Sequence, residues 1–446
     1  MSARRARRLP LHRGPAAWSA ILPGQPAPVS LAGRLTVDFA VIGAGFAGLS
    51  AARRLRQLNP QARIAVLDAG RLAEGASGRN SGFMIDLPHD LSSKDYSGSG
   101  DDHTVIRLNR QAISFAREAI EEYGIDPAFF DPCGKVNGAV SGKADAHNRS
   151  YAAHLEKLGE SARMLDDEEM FRLTGSRHYR SGLFTPGTVL IQPAGYIRGF
   201  GAGLRREGVS VFENSPVVQI GRTGPDWCLH TPNGQITAAK LILANNGHLE
   251  SFGFARGRLM HVFLFASMTP DLDSDALARL GGAARWGITP SDPMGTTMRR
   301  IDGPQGGNRI ITRTCALFEP GMQVSATAVS RAAEIHRRKF LDRYPQLHDI
   351  GTEYQWAGHL CLSRNGVSVM RELEPGLFSA CCQNGLGTTR GTLTGIGAAE
   401  LASGHESEIT RHFIAEAEPT RLPPEPLARI GANVYLKWRE WLAAKE

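Results

Sequence analysis

The fold is decided by Val37-Asp38-Phe39-Ala40-Val41-Ile42-Gly43-Ala44-Gly45-Phe46-Ala47-Gly48, whose pattern predicts an apolar strand, a glycine-rich turn and the start of a helix. The three glycines have the G-x-G-x-x-G spacing of dinucleotide-binding units, which permits a tight turn, the approach of a pyrophosphate and close packing of helix on strand. The helix N-terminus then offers free N–H groups to the phosphates. A second apolar strand ends at Asp68, where a carboxylate can accept a ribose hydroxyl. Together these features predict a dinucleotide site, and a turn without a ligand is the alternative.

Composition favours a soluble, globular protein of two domains. The chain has 446 residues, of which 42% are hydrophobic and 21% charged, and it is too long for one ordinary core. The net charge of +7 includes five arginines within the first thirteen residues, so the rest of the chain is nearly neutral. This balance argues against a nucleic-acid partner, and the arginine-rich head is expected to be a solvated tail. No stretch reaches the roughly 18 apolar residues of a membrane span, and none has the form of a secretory signal.

The cysteines indicate a reducing environment. Six are present, with neither a C-x-x-C pair nor the Cys/His spacing of a metal site. Cys381 and Cys382 are adjacent and therefore poor disulfide partners for each other. Reduced, mostly buried thiols in a cytoplasmic protein without a bound metal are expected.

Two further glycine-rich segments and one strand end are expected to surround the same ligand. The loop Gly75–Gly82 has too little apolar surface for a core, so its N–H groups and the Arg79 guanidinium are available to a phosphate. A plain surface loop is the alternative. The strand Leu241–Ala244 ends in the small polar turn 245–247, and such strand ends meet ligands in doubly wound sheets. The segment Asn384–Gly391 opens a last helix.

The remaining pattern predicts a nucleotide fold that is interrupted twice. Asn137-Gly138 predicts the turn of a hairpin over 135–140. Hydrophobic periodicity and acidic helix starts predict the other elements. These are helices over 101–123, 144–174, 195–207 and 330–344, and strands over 189–191, 209–212 and within 258–318.

These motifs resemble the D-amino-acid-oxidase-like FAD-dependent oxidoreductase superfamily, and within it the glycine oxidase, sarcosine oxidase and gamma-glutamylputrescine oxidoreductase branch. The residues that carry the resemblance are Val41–Ala52, Gly75–Gly82 and Asn384–Gly387 with its helix. The resemblance extends from about Leu35 to Gly404. It implies an enzyme that oxidises the C–N bond of an amine or amino acid by hydride transfer to flavin N5, after which the imine hydrolyses.

The resemblance also implies an α/β fold, in which a Rossmann-like FAD-binding domain is interrupted by a β-rich α+β substrate domain. The expected division is a basic tail and lead-in over 1–34, the FAD-binding domain over 35–100, 189–250 and 355–405, the substrate domain over 101–188 and 251–354, and a C-terminal helical extension over 406–446.

By the same resemblance, several short segments would bind FAD. The ADP half would lie against the first motif and the second strand end, and the second loop would run past the pyrophosphate towards the isoalloxazine ring. Val217 or Val218 would meet the adenine. The other predicted cofactor residues are Gly43, Ala44, Gly45, Phe46, Ala47, Gly48, Asp68, Ala69, Gly75, Ala76, Ser77, Arg79, Asn80, Ser81, Gly82, Ala244, Asn245, Gly247, Gly385, Leu386, Gly387, Thr388 and Thr389.

Four side chains are candidates for contact with the substrate, and each has a structural alternative. Arg313 can clamp a carboxylate with two hydrogen bonds, or it can be a surface residue. His261 lies in an apolar stretch that resembles the strand over the flavin, or it is a buried structural histidine. Tyr196 begins a helix and can be a packing residue, and His89 follows the second glycine loop.

The electron acceptor is left open between O2 and another oxidant. Some oxidases of this branch use a lysine near the flavin to help oxygen react, but no lysine lies between Lys240 and Lys339 here. Cys361 falls near the region where some relatives attach flavin covalently. No matching motif surrounds it, so non-covalent FAD is expected. A homo-oligomer is also left open.

Two other functions are compatible with the first glycine motif. One is a flavin monooxygenase or halogenase-like enzyme, whose flavin would be reduced by NAD(P)H. The other is a non-catalytic, flavin-binding subunit of a larger dehydrogenase, which would turn over no substrate without its partner.

Overall fold

The computed structural model describes residues 3–88, 100–292 and 294–446. The described strands are β1 Arg4–Arg5, β2 Gly33–Ile42, β3 Ile64–Leu67, β4 Phe83–Met84, β5 Phe130–Asp131, β6 Lys135–Ala139, β7 Arg163–Leu165, β8 Ser181–Thr185, β9 Val189–Ile191, β10 Ser210–Phe212, β11 Gln219–Thr223, β12 Asp226–His230, β13 Gly234–Leu243, β14 Leu259–Met268, β15 Trp286–Pro290, β16 Thr297–Ile301, β17 Arg309–Phe318, β18 Tyr354–Ser363, β19 Val369–Glu374 and β20 Leu377–Cys381. The described α-helices are α1 Ala17–Ala20, α2 Phe46–Leu58, α3 Asp102–Glu122, α4 Gly142–Lys157, α5 Asp167–Thr174, α6 Pro193–Arg206, α7 Ser274–Leu280, α8 Ala326–Arg343, α9 Thr389–Ala402, α10 Glu408–Ala415 and α11 Leu427–Leu442.

The first sheet has a parallel centre, as the α/β prediction requires. β2 pairs in parallel with β3 and β13, β3 with β10, and β13 with β20. Strands β1, β11 and β12 extend the sheet with antiparallel pairs, and β19 pairs with β20. β3 is buried along its whole length, which is typical of a parallel strand covered on both faces.

Helix α2 packs closely on the turn after β2 and on helix α9, at two positions where glycine has no side chain. A Cβ at Gly48 would lie 1.7 Å from the carbonyl oxygen of Gly43, so only glycine allows this approach. A Cβ at Gly395 of α9 would lie 2.1 Å from the carbonyl oxygen of Ala47. Gly43 itself has a φ of +107°, which favours glycine. The tight turn and the close helix packing therefore depend on the glycine spacing.

The second sheet has the strand order β18-β14-β17-β16-β15-β6-β8-β7. One face packs on α8 and neighbouring helices, through side chains such as Phe265 and Val329. The other face contributes Ala266, Met268 and Trp356 to the same core cluster as helix α2. This second face, called here the inner face, is therefore the one that meets the nucleotide-binding sheet and its helices.

The structure corrects several sequence predictions. Residues 135–139 form one strand and not a hairpin, because they pair with β8 on one side and with β15 on the other, which keeps Asn137-Gly138 extended. The single helix expected over 144–174 is two helices, α4 and α5, with β7 between them. Apart from these two corrections, strand β9 pairs with β4 and β5 in a separate three-stranded sheet, and β18 lies in the second sheet. The domain boundaries drawn from the sequence stay predictions.

The arginine-rich head is not a free tail. Its side chains are largely exposed, but Arg4 and Arg5 pair with β11, and the N–H groups of Ala6 and Arg7 donate to Val218 and Ser251. The backbone of β11 and of residues 218 and 251 thus binds the head by hydrogen bonds, and the sequence pattern does not reveal these contacts. No helix among the described residues combines the length and apolar character needed to cross a bilayer.

Candidate cofactor and substrate site

The predicted cofactor segments meet at one edge of the first sheet. The turn 43–48 follows β2, Asp68 and Ala69 follow β3, residues 244–247 follow β13, and residues 385–389 come four residues after β20. Because β2, β3, β13 and β20 are parallel, their carboxyl ends lie at the same edge. Val217 and Val218 follow β10 at this edge, and Val217 is buried.

The start of helix α2 is free to bind an anion. Gly45 is the N-cap residue and has no side chain that could cap the helix, and the first turn carries no acid. The nearest side chain to a Cβ built at Gly45 is Ser77, at 3.5 Å, so the turn faces the second glycine loop. Gly391 in α9 comes within van der Waals range of Phe46, since a Cβ there would be 3.3 Å from the Phe46 Cβ. The three glycine segments therefore surround the positive end of the α2 dipole.

Asp68 is positioned by two backbone amides. Its Oδ2 accepts from the Ala44 N–H at 2.8 Å and its Oδ1 accepts from the Gly70 N–H at 3.0 Å. Burial raises the pKa of Asp68, while the two N–H bonds act in the opposite direction. Each carboxylate oxygen keeps a second lone pair, which fits a ribose hydroxyl beside the phosphate-binding turn. A diphosphate on the α2 terminus and a ribose on Asp68 together fit a dinucleotide.

We expect Asp68→Ala to weaken FAD binding by roughly tenfold to a hundredfold, because it leaves two buried N–H groups without an acceptor and removes the ribose contact. Titration of the apoprotein with FAD, followed by flavin fluorescence, measures the change. Asp38→Ala is the matched control, since Asp38 lies on the same strand pair but binds only the Arg63 N–H and guanidinium. Equal affinity of the Asp68 variant and the wild type would contradict the assignment of the ribose site.

Arg79 of the second glycine loop is buried and ties the loop to the surrounding chain. Arg79 donates to the carbonyl oxygens of Glu74, Arg13, Gly14 and Ala357 at 2.7–3.4 Å. The Arg79 guanidinium thus fastens the N-terminal segment to the loop. The sequence predicted a contact between Arg79 and a phosphate, but the hydrogen bonds of its guanidinium go to these carbonyl oxygens. The four carbonyl acceptors come from three separate segments of the chain, and the sequence of the loop alone does not reveal them.

Three residues whose contact with this loop was not predicted from the sequence also hold it. Arg299 donates to the carbonyl oxygens of Ser81 and Gly82, at 3.1 and 3.3 Å. The Trp18 indole donates to the Asn80 carbonyl at 2.8 Å, and the Trp356 indole donates to the Arg79 carbonyl at 3.0 Å. A tryptophan in the lead-in, a tryptophan in a strand and an arginine in an apolar strand are the sequence features that could have indicated these contacts.

The remaining loop contacts lie among the predicted residues themselves. Asn80 Nδ2 donates to the Ser77 carbonyl and its Oδ1 accepts from the Gly82 N–H. Gly75 begins the short 3-10 turn Ala76–Gly78, and Thr388 Oγ1 donates to the Phe83 carbonyl at 2.7 Å. The loop 75–82 and the segment 385–389, which also includes Gly385, Leu386, Gly387 and Thr389, are therefore joined next to β4.

Arg313 lies on the inner face of the second sheet. It pairs in register with Ala266 and Thr297, and Ala266 pairs with Trp356. No ion pair or hydrogen bond reaches its guanidinium from the residues that the structure describes. Burial lowers the pKa of Arg313 to about 10, so the group remains charged at neutral pH. The Thr297 hydroxyl beside it is buried and also without a described partner.

Lys135 lies on the same inner face, three strands from Arg313. Asn137 pairs with Thr289 in the register of the sheet, and Lys135 lies two residues before Asn137, so its side chain is on the same face. Its amino group donates to Asn137 Oδ1 and Thr289 Oγ1. Burial lowers the pKa of Lys135 to about 8. The sequence indicated no lysine in the strands expected over the flavin. The structure brings one to their sheet from an earlier segment.

The other candidates are engaged differently. His261 is buried, with Nε2 2.7 Å from Glu250 Oε2 and Nδ1 3.1 Å from His359 Nε2. Although burial opposes it, hydrogen bonds from His261 and the Gly257 N–H hold the pKa of Glu250 below its usual value. Tyr196 stacks on Phe46 at 5.8 Å and fills the core behind helix α2. His89 lies outside the described residues.

Cys361 is buried in β18, beside His261 in the register of the sheet. A hydrogen bond with Cys382 and burial raise the pKa of Cys361 well above that of a free thiol. A protonated, buried thiol is a poor nucleophile. This environment supports the expectation that the cofactor is held without a covalent bond.

The chain matches the family model for FAD dependent oxidoreductases over residues 38–401. It is 25% identical over 415 residues to the probable oxidoreductase OrdL of Rhizobium meliloti (strain 1021), covering 90% of this chain and 91% of that protein. It is 25% identical over 374 residues to gamma-glutamylputrescine oxidoreductase of Escherichia coli (strain K12), covering 83% and 84%. In fold it is similar to glycine oxidase from Geobacillus kaustophilus, with a TM-score of 0.69 at 19% identity, covering 87% of this chain and 100% of that chain.

Proposed function

Because this chain belongs to the FAD dependent oxidoreductase family, we propose that it oxidises the C–N bond of an amino acid or another amine that carries a carboxylate. The superfamily resemblance and the FAD cofactor predicted from the three glycine segments are confirmed. When bound, FAD supplies the acceptor for a hydride from the carbon next to the amine nitrogen, and the resulting imine hydrolyses in water.

The observation that supports a carboxylate substrate is the Arg313 guanidinium. Arg313 is partly exposed and has no counter-ion among the described residues, so a substrate carboxylate could reach its guanidinium and pair with it through two parallel hydrogen bonds. The Thr297 hydroxyl is a further donor on the neighbouring strand. An arginine clamp of this kind fixes both the position and the rotation of the substrate.

The other residues of the site would bind and orient. The α2 terminus and Asp68 would hold the diphosphate and the ribose, and Arg299 would keep the loop 81–82 against the inner face. His261 is occupied by Glu250 and His359, so it would act on the structure of the site and not as a base. The amine would then have to arrive in its neutral form, which gives a rate that rises with pH through the pKa of the substrate amine.

Anaerobic mixing with amino acids and with the matching amines that lack a carboxylate tests this function. We expect the flavin absorption to bleach with at least one amino acid and to respond far less to the decarboxylated analogue. Bleaching by NADPH and not by any amine would instead indicate the monooxygenase-like alternative. A protein that binds FAD but is never bleached would indicate a subunit of a larger dehydrogenase. Readmission of air after bleaching separates an oxidase from a dehydrogenase.

A further inference from the structure

Helix α11, Leu427–Leu442, turns its polar side towards the protein. Asn433 Oδ1 accepts from the Phe318 N–H at 3.0 Å, and its Nδ2 donates to the Phe318 carbonyl at 2.9 Å. Glu440 Oε1 accepts from the Ala316 N–H at 2.6 Å. The pairing of β16 with β17 ends at Arg313, so these side chains satisfy the backbone groups of a strand edge that β16 leaves open. These hydrogen bonds fasten the helix to the body, on the side where Ala428, Ala432 and Leu436 are half-buried.

The opposite side of α11 is an apolar stripe that faces solvent. At about 100° per residue, five side chains fall within an arc of roughly 80°. They are 52–71% exposed, and no side chain of the helix is buried. An amphipathic helix normally turns such a stripe to the core, so this one needs a cover from outside. The stripe consists of Leu427, Ile430, Val434, Trp438 and Trp441.

Exposed arginines from three segments meet near the start of this helix. The Arg7 N–H donates to Ser251, and Arg8 donates to the Pro320 carbonyl, next to the Glu319 carboxylate that binds Arg429 of the helix. Arg256 precedes Gly257, whose carbonyl accepts from the Leu422 N–H, and Arg421 precedes Leu422. This arginine cluster, Arg7, Arg8, Arg256 and Arg421, is exposed at all four positions.

The acids of the same region are largely engaged with partners. Glu319 and Glu418 form ion pairs with Arg429 and Arg258, and Glu250 is hydrogen-bonded to His261. Within 427–446 the acids are Glu440 and Glu446, and both bind backbone amides of the body. Of the acids described around the stripe, Glu425 is exposed without a partner. The surface around the stripe therefore combines apolar, aromatic and cationic side chains.

This charge pattern favours an anionic lipid surface over a second copy of the chain. In a parallel pair of helices the arginine clusters would face each other. In an antiparallel pair each cluster would face the exposed Lys437 and Lys445 of the partner helix, so both arrangements oppose like charges. Anionic head groups complement the cations. Tryptophan and tyrosine are also enriched where acyl chains meet head groups, and the stripe carries Trp438 and Trp441 with Tyr435 beside them.

We propose that α11 lies in the interfacial layer of an anionic lipid bilayer, with its apolar stripe inserted and the arginine cluster on the head groups. The helix would lie on the membrane and not cross it. The argument rests on the outer surface alone and is independent of the substrate of the enzyme.

Sedimentation of the FAD-loaded full chain with lipid vesicles tests the proposal. We expect binding to vesicles of phosphatidylglycerol and phosphatidylcholine, and much weaker binding to phosphatidylcholine alone. The double variant Trp438→Ser, Trp441→Ser should lose about tenfold in partitioning for each tryptophan. Ile414→Ser is the matched control, because Ile414 is 54% exposed on α10, outside the stripe, and should leave binding unchanged. Arg256→Gln with Arg421→Gln should reduce binding to the anionic vesicles only.

Three results would overturn the proposal. They are absence of binding to anionic vesicles, equal binding by the tryptophan variant, and a lipid-free dimer that the same substitutions convert to a monomer, which would assign the stripe to a second copy. Retained flavin absorption shows that each variant is folded. If the double variant does not fold, quenching of wild-type tryptophan fluorescence by brominated lipids decides the same question, and absence of quenching would contradict insertion.

Discussion

Replacement of Arg313 by leucine is expected to lower kcat/KM for an amino acid substrate by roughly a hundredfold to a thousandfold. The reason is that the substrate carboxylate would be bound without its cation, a loss of about 3–4 kcal/mol. The free energy of unfolding should change little, because the partly exposed guanidinium makes no ion pair or hydrogen bond with the described residues that the variant would lose. Steady-state kinetics and thermal unfolding of the FAD-loaded protein measure the two effects.

Two controls separate substrate binding from a structural role of Arg313. The amine that lacks the carboxylate should react at nearly the same rate with the variant and the wild type. Arg309→Leu alters the same face of β17, but Arg309 already pairs with Glu353, so stability and not substrate discrimination should suffer. An equal loss on both substrates after Arg313→Leu would show that the residue does not bind the carboxylate.

Gly48→Ala is expected to have the largest effect on the cofactor, with a loss of FAD affinity of about a hundredfold or more. The new Cβ would lie 1.7 Å from the Gly43 carbonyl oxygen, which is backbone and cannot rotate away. Helix α2 would have to move away from the turn, and the phosphate-binding N–H groups would move with it. FAD titration, together with circular dichroism to follow the fold, measures the loss.

Gly431→Ala is the matched helical control. Gly431 lies inside α11 with no heavy atom within 4 Å of a built Cβ, so this change should raise the free energy of unfolding by at most about 1 kcal/mol and leave FAD bound. If Gly48→Ala retained wild-type FAD affinity and melting temperature, the close packing of α2 on the turn would be wrong.

The cofactor cradle could be predicted from the sequence because each of its parts is a local pattern. Gly43, Gly45 and Gly48 lie within six residues, and the strand that ends at Asp68 is a continuous apolar run. Parallel pairing then brings all such strand ends to one edge without further information. The second and third glycine segments follow the same logic, which is why the family and FAD could be recognised before any contact was known.

Contacts between distant segments could not be predicted in this way. Asn137-Gly138 has the local preference of a turn, yet pairing with β8 and β15 on either side keeps it extended. Lys135 reaches the inner face from β6, which lies far earlier in the chain than the lysine-free segment between Lys240 and Lys339. Arg79 has the composition of a phosphate ligand, but carbonyls of residues 13, 14, 74 and 357 take its donors.

The sequence by itself determined the nucleotide-binding unit, its cofactor and the order of most helices and strands, since these depend on residue spacing and hydrophobic period. The tertiary structure alone decided which charged groups have partners, because a partner can come from any segment. It gave Arg313 no counter-ion from the residues described on the inner face, occupied His261 with Glu250 and turned the apolar stripe of α11 outward. Charge pairing and burial are properties of the assembled fold, and the function proposed here depends on both.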